Sequence, residues 1–272
     1  MDITVTHIDT ACCLIDIAGV RILTDPVLDK AGGLYHHGYG AISRKTASPA
    51  VDEAALSEVD LVLLSHPQHK DNFDTSGRAF ARSVPLVLST PPIEKDYRNG
   101  QGLRPWESYD VALPDASATL TITATPARHH PRWLPRFFSG EVIGFHLAHS
   151  KSEDTLYISG DTVFFEGIHQ VAQRWGAPTY ALIHVGSAEF RYLTGPGKFT
   201  MGAKGFIDTV SVLNPTVAIP IHNGGWTHFK ESDEGLKREL LAADEELRRK
   251  VHFLPPGRPR ELKLLATENG QR

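Results

Sequence analysis

Residues 61–74, LVLLSHPQHKDNFD, run from four apolar side chains straight into His66, His69, Asp71, Asn72 and Asp74. Imidazole and carboxylate side chains together form the donor set of Zn²⁺, Mn²⁺ or Fe²⁺. The pattern recurs along the chain. His129 and His130 follow the apolar stretch 120–124, Asp161 follows 156–159, and His222 follows 217–221. Each residue has an ordinary reading when taken alone. A loop histidine satisfies backbone groups, and Asp161 in SGDT reads as an Asx-turn or as a helix N-cap ahead of VFFEGI. Four strand ends that deliver His or Asp at one relative point argue for a shared cation site instead. Ends of parallel strands lie along one edge of a fold, where α/β proteins place their sites.

The elements that must position these residues are legible from periodicity. ITVTHI, CLIDIAG and VRILTDP are short, β-branched stretches broken by Gly, Asp or Pro, and read as strands. GGLYHHGYGAIS has no period and reads as a flexible glycine- and histidine-rich loop. DEAALSEV and TSGRAFARS read as short helices, the second capped by Thr75 or Ser76. Further on, ATLTITATPA, EVIGFHLAHS, DTLYISGD, YALIHVG and TVAIPIH read as strands. VFFEGIHQVAQRW reads as a helix with Phe165, Ile168, Ala172 and Trp175 on one face, and MGAKGFIDTVSVLN as a helix stopped by Asn214-Pro215. Residues 231–251 read as one long amphipathic helix along Leu236, Leu240, Ala243, Leu247 and Val251. A hairpin-rich block followed by alternating strands and helices predicts two β-rich layers with helices outside, in a single domain over 1–272.

Composition narrows the function. Of 272 residues 41% are hydrophobic and 22% charged, and the net charge of −4 offers no basic field for nucleic acid. No apolar run reaches the ~20 residues of a membrane span. The two cysteines, Cys12 and Cys13, are adjacent in a strand-like stretch, so a reducing cytoplasm is expected. The 14 histidines stand out, many of them beside Gly, Pro or Asp.

Taken in order, these motifs resemble the metallo-β-lactamase-fold hydrolases, in particular the branch similar to ascorbate-phosphate lactonase and N-acyl-phosphatidylethanolamine phospholipase D. THIDTACCLIDIAGVRILTDPVL resembles that branch's opening strands, and LLSHPQHKDNFD falls where the family carries H-x-H-x-D-H. TATPARHH, YISGDT and AIPIHNGGW match its later elements. The resemblance implies an αββα sandwich of two mixed sheets with outer helices. It also implies divalent metal, most often Zn with Mn or Fe as alternatives, as one or two ions. The implied ligands are His66, His69, Asp71, His129, Asp161 and His222.

The motif departs from the family in two places. Aligning HKDN puts Pro67 at the family's first histidine and Asn72 at its last, so the chain reads H-x-x-H-x-D-N. His66 must reach the metal across one extra residue, and Asn72 offers only a neutral amide. Asn72→His is therefore expected to raise metal stoichiometry if the second site is merely incomplete.

The implied reaction is attack of a metal-bound hydroxide on an ester, lactone or phosphodiester of a small molecule, with Asp71 as the catalytic carboxylate. Asn72, His130 and His228 are expected to contact substrate. Arg128, Arg132 and Arg136 would hold a phosphate or carboxylate. The alternatives are a metal-poor, non-catalytic ligand-binding relative and a di-iron redox enzyme on the same fold. The expected partner is a small-molecule substrate, without nucleic acid, and homo-oligomer formation stays open.

Overall fold

Residue alternation sets the layers. In the strand Leu61–Leu63, Leu61 and Leu63 pack into a core shared with Ile122, Phe145, Leu182 and Ile219, whereas Val62 faces the other way toward Phe73, Ala81 and Tyr97. A period-two strand buried on both faces needs cover on both sides. The computed structural model supplies it, and describes residues 1–114, 118–135 and 139–270. One sheet has seven strands in the order Arg260–Glu261, Ile3–Asp9, Cys12–Ile17, Val20–Thr24, Leu61–Leu63, Leu86–Ser89, Gly100–Gly102. The other has six, in the order Val217–Ile221, Tyr180–His184, Thr155–Ile158, Ile143–His149, Thr119–Pro126, Ser108–Ala112. Both mix parallel and antiparallel pairs. Their inner faces form one core.

Helices cover the outer faces. Ile168 and Val171 of Glu166–Trp175, Phe206 and Val210 of Ala203–Leu213, and Leu236 and Leu240 of Asp233–Leu240 pack on Ala181, Ile183 and Ala218. Phe73 and Ala81 cover the seven-stranded sheet around the helix Thr75–Ala81. The chain thus has the expected αββα arrangement. No helix of the described residues is long and apolar enough to cross a membrane.

Several elements differ from the sequence reading. The glycine- and histidine-rich stretch contains a hairpin, Leu34–His36 paired with Ile42–Arg44. It lies apart from both main sheets, so no shared apolar face marks it in the sequence. The cap of Thr75–Ala81 is Asp74, whose carboxylate accepts from Gly77 N at 2.8 Å. The long C-terminal helix is two, Asp233–Leu240 and Glu245–Lys250. Asp244 starts the second with extended backbone, a capping preference that competes with helix continuation. Phe165 is the N-cap of Glu166–Trp175, so Asp161 has no capping role there.

Candidate metal centre

Four strand ends meet where the sequence placed them. The strand Leu61–Leu63 leads into His66, His69 and Asp71, Thr119–Pro126 into His129, Thr155–Ile158 into Asp161, and Val217–Ile221 into His222. The last three run in one direction within the six-stranded sheet, so their C-terminal ends share an edge. Local backbone is bent to serve the site. His222 has φ 65, a left-handed conformation that costs a non-glycine residue about 1–3 kcal/mol. Gly160, just before Asp161, has φ 61, and a Cβ there would sit 2.2 Å from the carbonyl oxygen of Ile143.

Two donor clusters result, His66 with His69 and His129, and Asp71 with Asp161 and His222. Within each, one donor atom per residue lies within 4.8 Å of the others. In the first cluster His69 Nδ1 is 3.0 Å from His66 Nε2 and 3.1 Å from His129 Nε2. Nitrogen ligands on tetrahedral zinc stand about 3.3 Å apart, given bonds of about 2.0–2.1 Å. The extra residue in H-x-x-H therefore does not keep His66 out. Its Nε2 still reaches the histidine cluster.

The hydrogen bonds around the clusters fix which nitrogen is free. Ser65 Oγ donates to Asp25 Oδ1 at 2.8 Å, which leaves its oxygen to accept from His66 Nδ1 at 2.8 Å and the His66 Nε2 lone pair open. His129 Nδ1 donates to Phe199 O at 2.9 Å, which frees Nε2 in the same way. Burial lowers all three histidines from their ordinary value. His66 lies well below it, and burial together with His129 pushes His69 down to about 3, so the trio is neutral at pH 7.

Around the second cluster, burial opposes ionisation of Asp161, but His222, His184 and His129 outweigh it and hold the carboxyl well below the usual range. Burial opposes ionisation of Asp71 too. His228, hydrogen-bonded to Oδ2 at 3.0 Å, and His37, whose Nδ1 stands 3.5 Å from Oδ1, prevail and keep it a carboxylate. Among the described residues Asp71 Oδ1, Asp161 Oδ2 and His222 Nε2 are buried without a hydrogen-bond partner. Buried carboxylate and imidazole atoms left unpaired are costly, and a cation would satisfy all three. The donor set therefore fits a divalent metal, with neutral nitrogens on one side and carboxylates plus imidazole on the other.

Some expected residues take other places. Asn72 is buried, and its amide donates to His66 O at 2.6 Å and to Asp25 Oδ1 at 3.3 Å, so it braces the histidine loop and does not line the cavity. His130 turns to Pro131 O at 3.0 Å and does not line it either. Arg128 and Arg132 are likewise absent from the wall, and Arg136 lies outside the described residues. His228 does line the cavity, and its Nε2 donates to Asp71 Oδ2 at 3.0 Å.

Three residues outside the ligand set read from the sequence border the clusters. His37 Nδ1 stands 3.5 Å from Asp71 Oδ1, in the glycine- and histidine-rich stretch that the sequence reading took for a flexible loop able to line a pocket. His184 Nδ1 is 2.9 Å from Asp161 Oδ1. Asp25, which burial pushes up to about 6, accepts from Ser65 N, Ser65 Oγ and Asn72 Nδ2. Asp25 and His184 each sit at the end of an apolar strand, the signal that pointed to the candidate donors.

Residues 20–223 match the family model of the β-lactamase superfamily domain. The chain belongs to that superfamily. It is 27% identical to a UPF0173 metal-dependent hydrolase of Methanopyrus kandleri over 93% of this chain and 97% of that protein. It is 32% identical to another from Pyrococcus horikoshii, over 77% and 83%. Among solved structures, the isothiocyanate hydrolase from Delia radicum gut bacteria shares its fold, with a TM-score of 0.76 and 21% identity over 94% of this chain and 98% of that one. With these relatives and the two donor clusters, the chain is a metallo-hydrolase of the superfamily, the bond it cleaves being a separate question.

Proposed function

We propose that this chain hydrolyses an ester, lactone or phosphodiester of a small molecule at a centre holding one or two divalent ions. His66, His69 and His129 would hold the first ion, and Asp71, Asp161 and His222 the second. Zn²⁺ suits the three neutral nitrogens best, with Mn²⁺ or Fe²⁺ as alternatives for the oxygen-rich side. The observation that carries this reading is the convergence of two donor clusters from four strand ends, with Asp71 Oδ1, Asp161 Oδ2 and His222 Nε2 buried and unpaired. When bound, the metal supplies a water whose pKa falls toward ~7 and a positive charge opposite the developing oxyanion.

The chain's own residues do the rest. Asp71, kept ionised by His37 and His228, belongs to the second cluster and also lines the cavity, where it orients the attacking water. His184 donates to Asp161 and fixes its carboxylate plane. His228 forms the cavity wall beside the reacting group. The motif likeness to lactonase and phospholipase D relatives supports lactone and phosphodiester bonds as the first to try. The isothiocyanate hydrolase of similar fold adds benzyl isothiocyanate to the probes.

The test pairs elemental analysis with turnover of dihydrocoumarin, 4-nitrophenyl acetate, bis(4-nitrophenyl) phosphate and benzyl isothiocyanate. Bound metal and turnover of one probe should both fall at least tenfold in His129→Ala and Asp161→Asn. Turnover that survives both changes would move the catalytic centre elsewhere.

A further inference from the structure

The cavity above the donor clusters measures about 420 Å³ and divides sharply by chemistry. Its polar residues, His37, His69, Asp71, His129 and His228, gather at the donor clusters. The remaining lining includes Leu134, Ala188, Phe190, Leu193 and Phe199. Exposed Tyr39 and Trp133, at 65% and 62% of their surface, add aromatic lining. No lysine or arginine is among the described lining residues, and Asp71 is the one carboxylate.

We infer that the substrate is an uncharged carboxylic ester or lactone with an aryl or alkyl body, a narrowing that rests on the hydrolase reading above. A charged group on the body would be desolvated against Leu134, Phe190, Leu193 and Phe199 with no partner. Anion-recognising sites place Arg or Lys where the anion sits, and the described residues of this wall include neither. An apolar body instead gains from every methylene or ring edge it buries. A few polar groups at one end of an otherwise apolar cleft fix orientation, which puts the carbonyl toward His69, Asp71 and His129. The sequence had suggested an arginine-held phosphate or carboxylate. The observed lining favours the two uncharged bond classes, ester and lactone, over the phosphodiester.

The experiment compares 4-nitrophenyl hexanoate with 4-nitrophenyl hydrogen adipate. These esters share leaving group and chain length and differ by one terminal carboxylate. The metal-loaded protein should show kcat/KM at least tenfold higher for the hexanoate. Leu193→Lys and Leu134→Lys should each narrow that ratio at least threefold with bound metal unchanged, because each puts a cation on the wall where the body lies. Equal or better turnover of the adipate overturns the inference, as does an unchanged ratio in both variants. Turnover of neither ester by protein that carries metal also overturns it, and leaves the metal centre standing. Protein without metal, with both esters still cleaved, would instead remove the hydrolase reading beneath it.

Discussion

Asn72 stands where the family motif has a histidine, yet its amide faces inward to His66 O and Asp25. Replacing it would break two buried hydrogen bonds, because a histidine at 72 must leave that position to ligate. We therefore expect Asn72→His to lower the unfolding temperature without raising metal stoichiometry, contrary to what the motif alone suggests. Elemental analysis beside a thermal melt reads both. Ser65 is the second informative position, since its hydroxyl links Asp25 to His66 Nδ1 and so selects the tautomer that leaves Nε2 open. Ser65→Ala should weaken metal affinity roughly 10–100-fold, the range for losing an outer hydrogen bond to a ligating histidine. A chelator-competition titration measures it, and an unchanged affinity would show that another group orients His66.

Each element presents its donor only if the strand end turns sharply, and the turns carry their own cost. Gly160, packed against the Ile143 carbonyl, lets the chain leave Thr155–Ile158 and deliver Asp161. Gly160→Ala would place a methyl in contact with a carbonyl oxygen at positive φ, so the turn must shift. Destabilisation of about 1–3 kcal/mol or more is expected, with loss of bound metal as Asp161 moves. A urea melt with metal analysis checks both parts. On the other sheet, Asp74 caps the helix Thr75–Ala81 through Gly77 N. Asp74→Ala should cost about 1 kcal/mol. The hairpin Leu34–His36 and Ile42–Arg44 delivers His37 to Asp71 from outside both sheets, so its placement depends on tertiary contacts such as Tyr192 Oη, which accepts from Ile42 N at 2.8 Å.

For the whole molecule, protonation links the site to stability. Burial lowers His146 to about 4, and its ring stacks on Trp175 at 4.1 Å. The unfolded chain then binds a proton near pH 6.5 that the folded chain refuses until about pH 4, so stability falls as pH drops through that window. In metal-free protein His66, His69 and His129 act in the same direction. Asp25, raised to about 6, acts in the opposite one, while Asp71 and Asp161 matter only below the ordinary carboxylate pKa near 3.8. The unfolding temperature of the metal-free protein should fall steadily from pH 6.5 to 4, and less steeply in His146→Gln. An equal slope in the two proteins would show that His146 is not a source of the acid sensitivity. Saturating metal should raise the melting temperature near pH 7, because an ion that binds only the folded chain adds its binding free energy.

The sequence alone determined the period-two strands, the helices Glu166–Trp175 and Ala203–Leu213, and His66, His69, Asp71, His129, Asp161 and His222 as candidate donors, which the fold gathers into two clusters. Those signals are local, a buried strand followed at once by a polar residue that needs a reason to be there. Only the tertiary structure decided that Asn72 turns away, that His37, His184 and Asp25 close around the donors, and that no lysine or arginine is among the described residues of the cavity wall. These facts depend on which distant loops face each other, and a side chain's type and neighbours in sequence do not encode the surface it meets far along the chain.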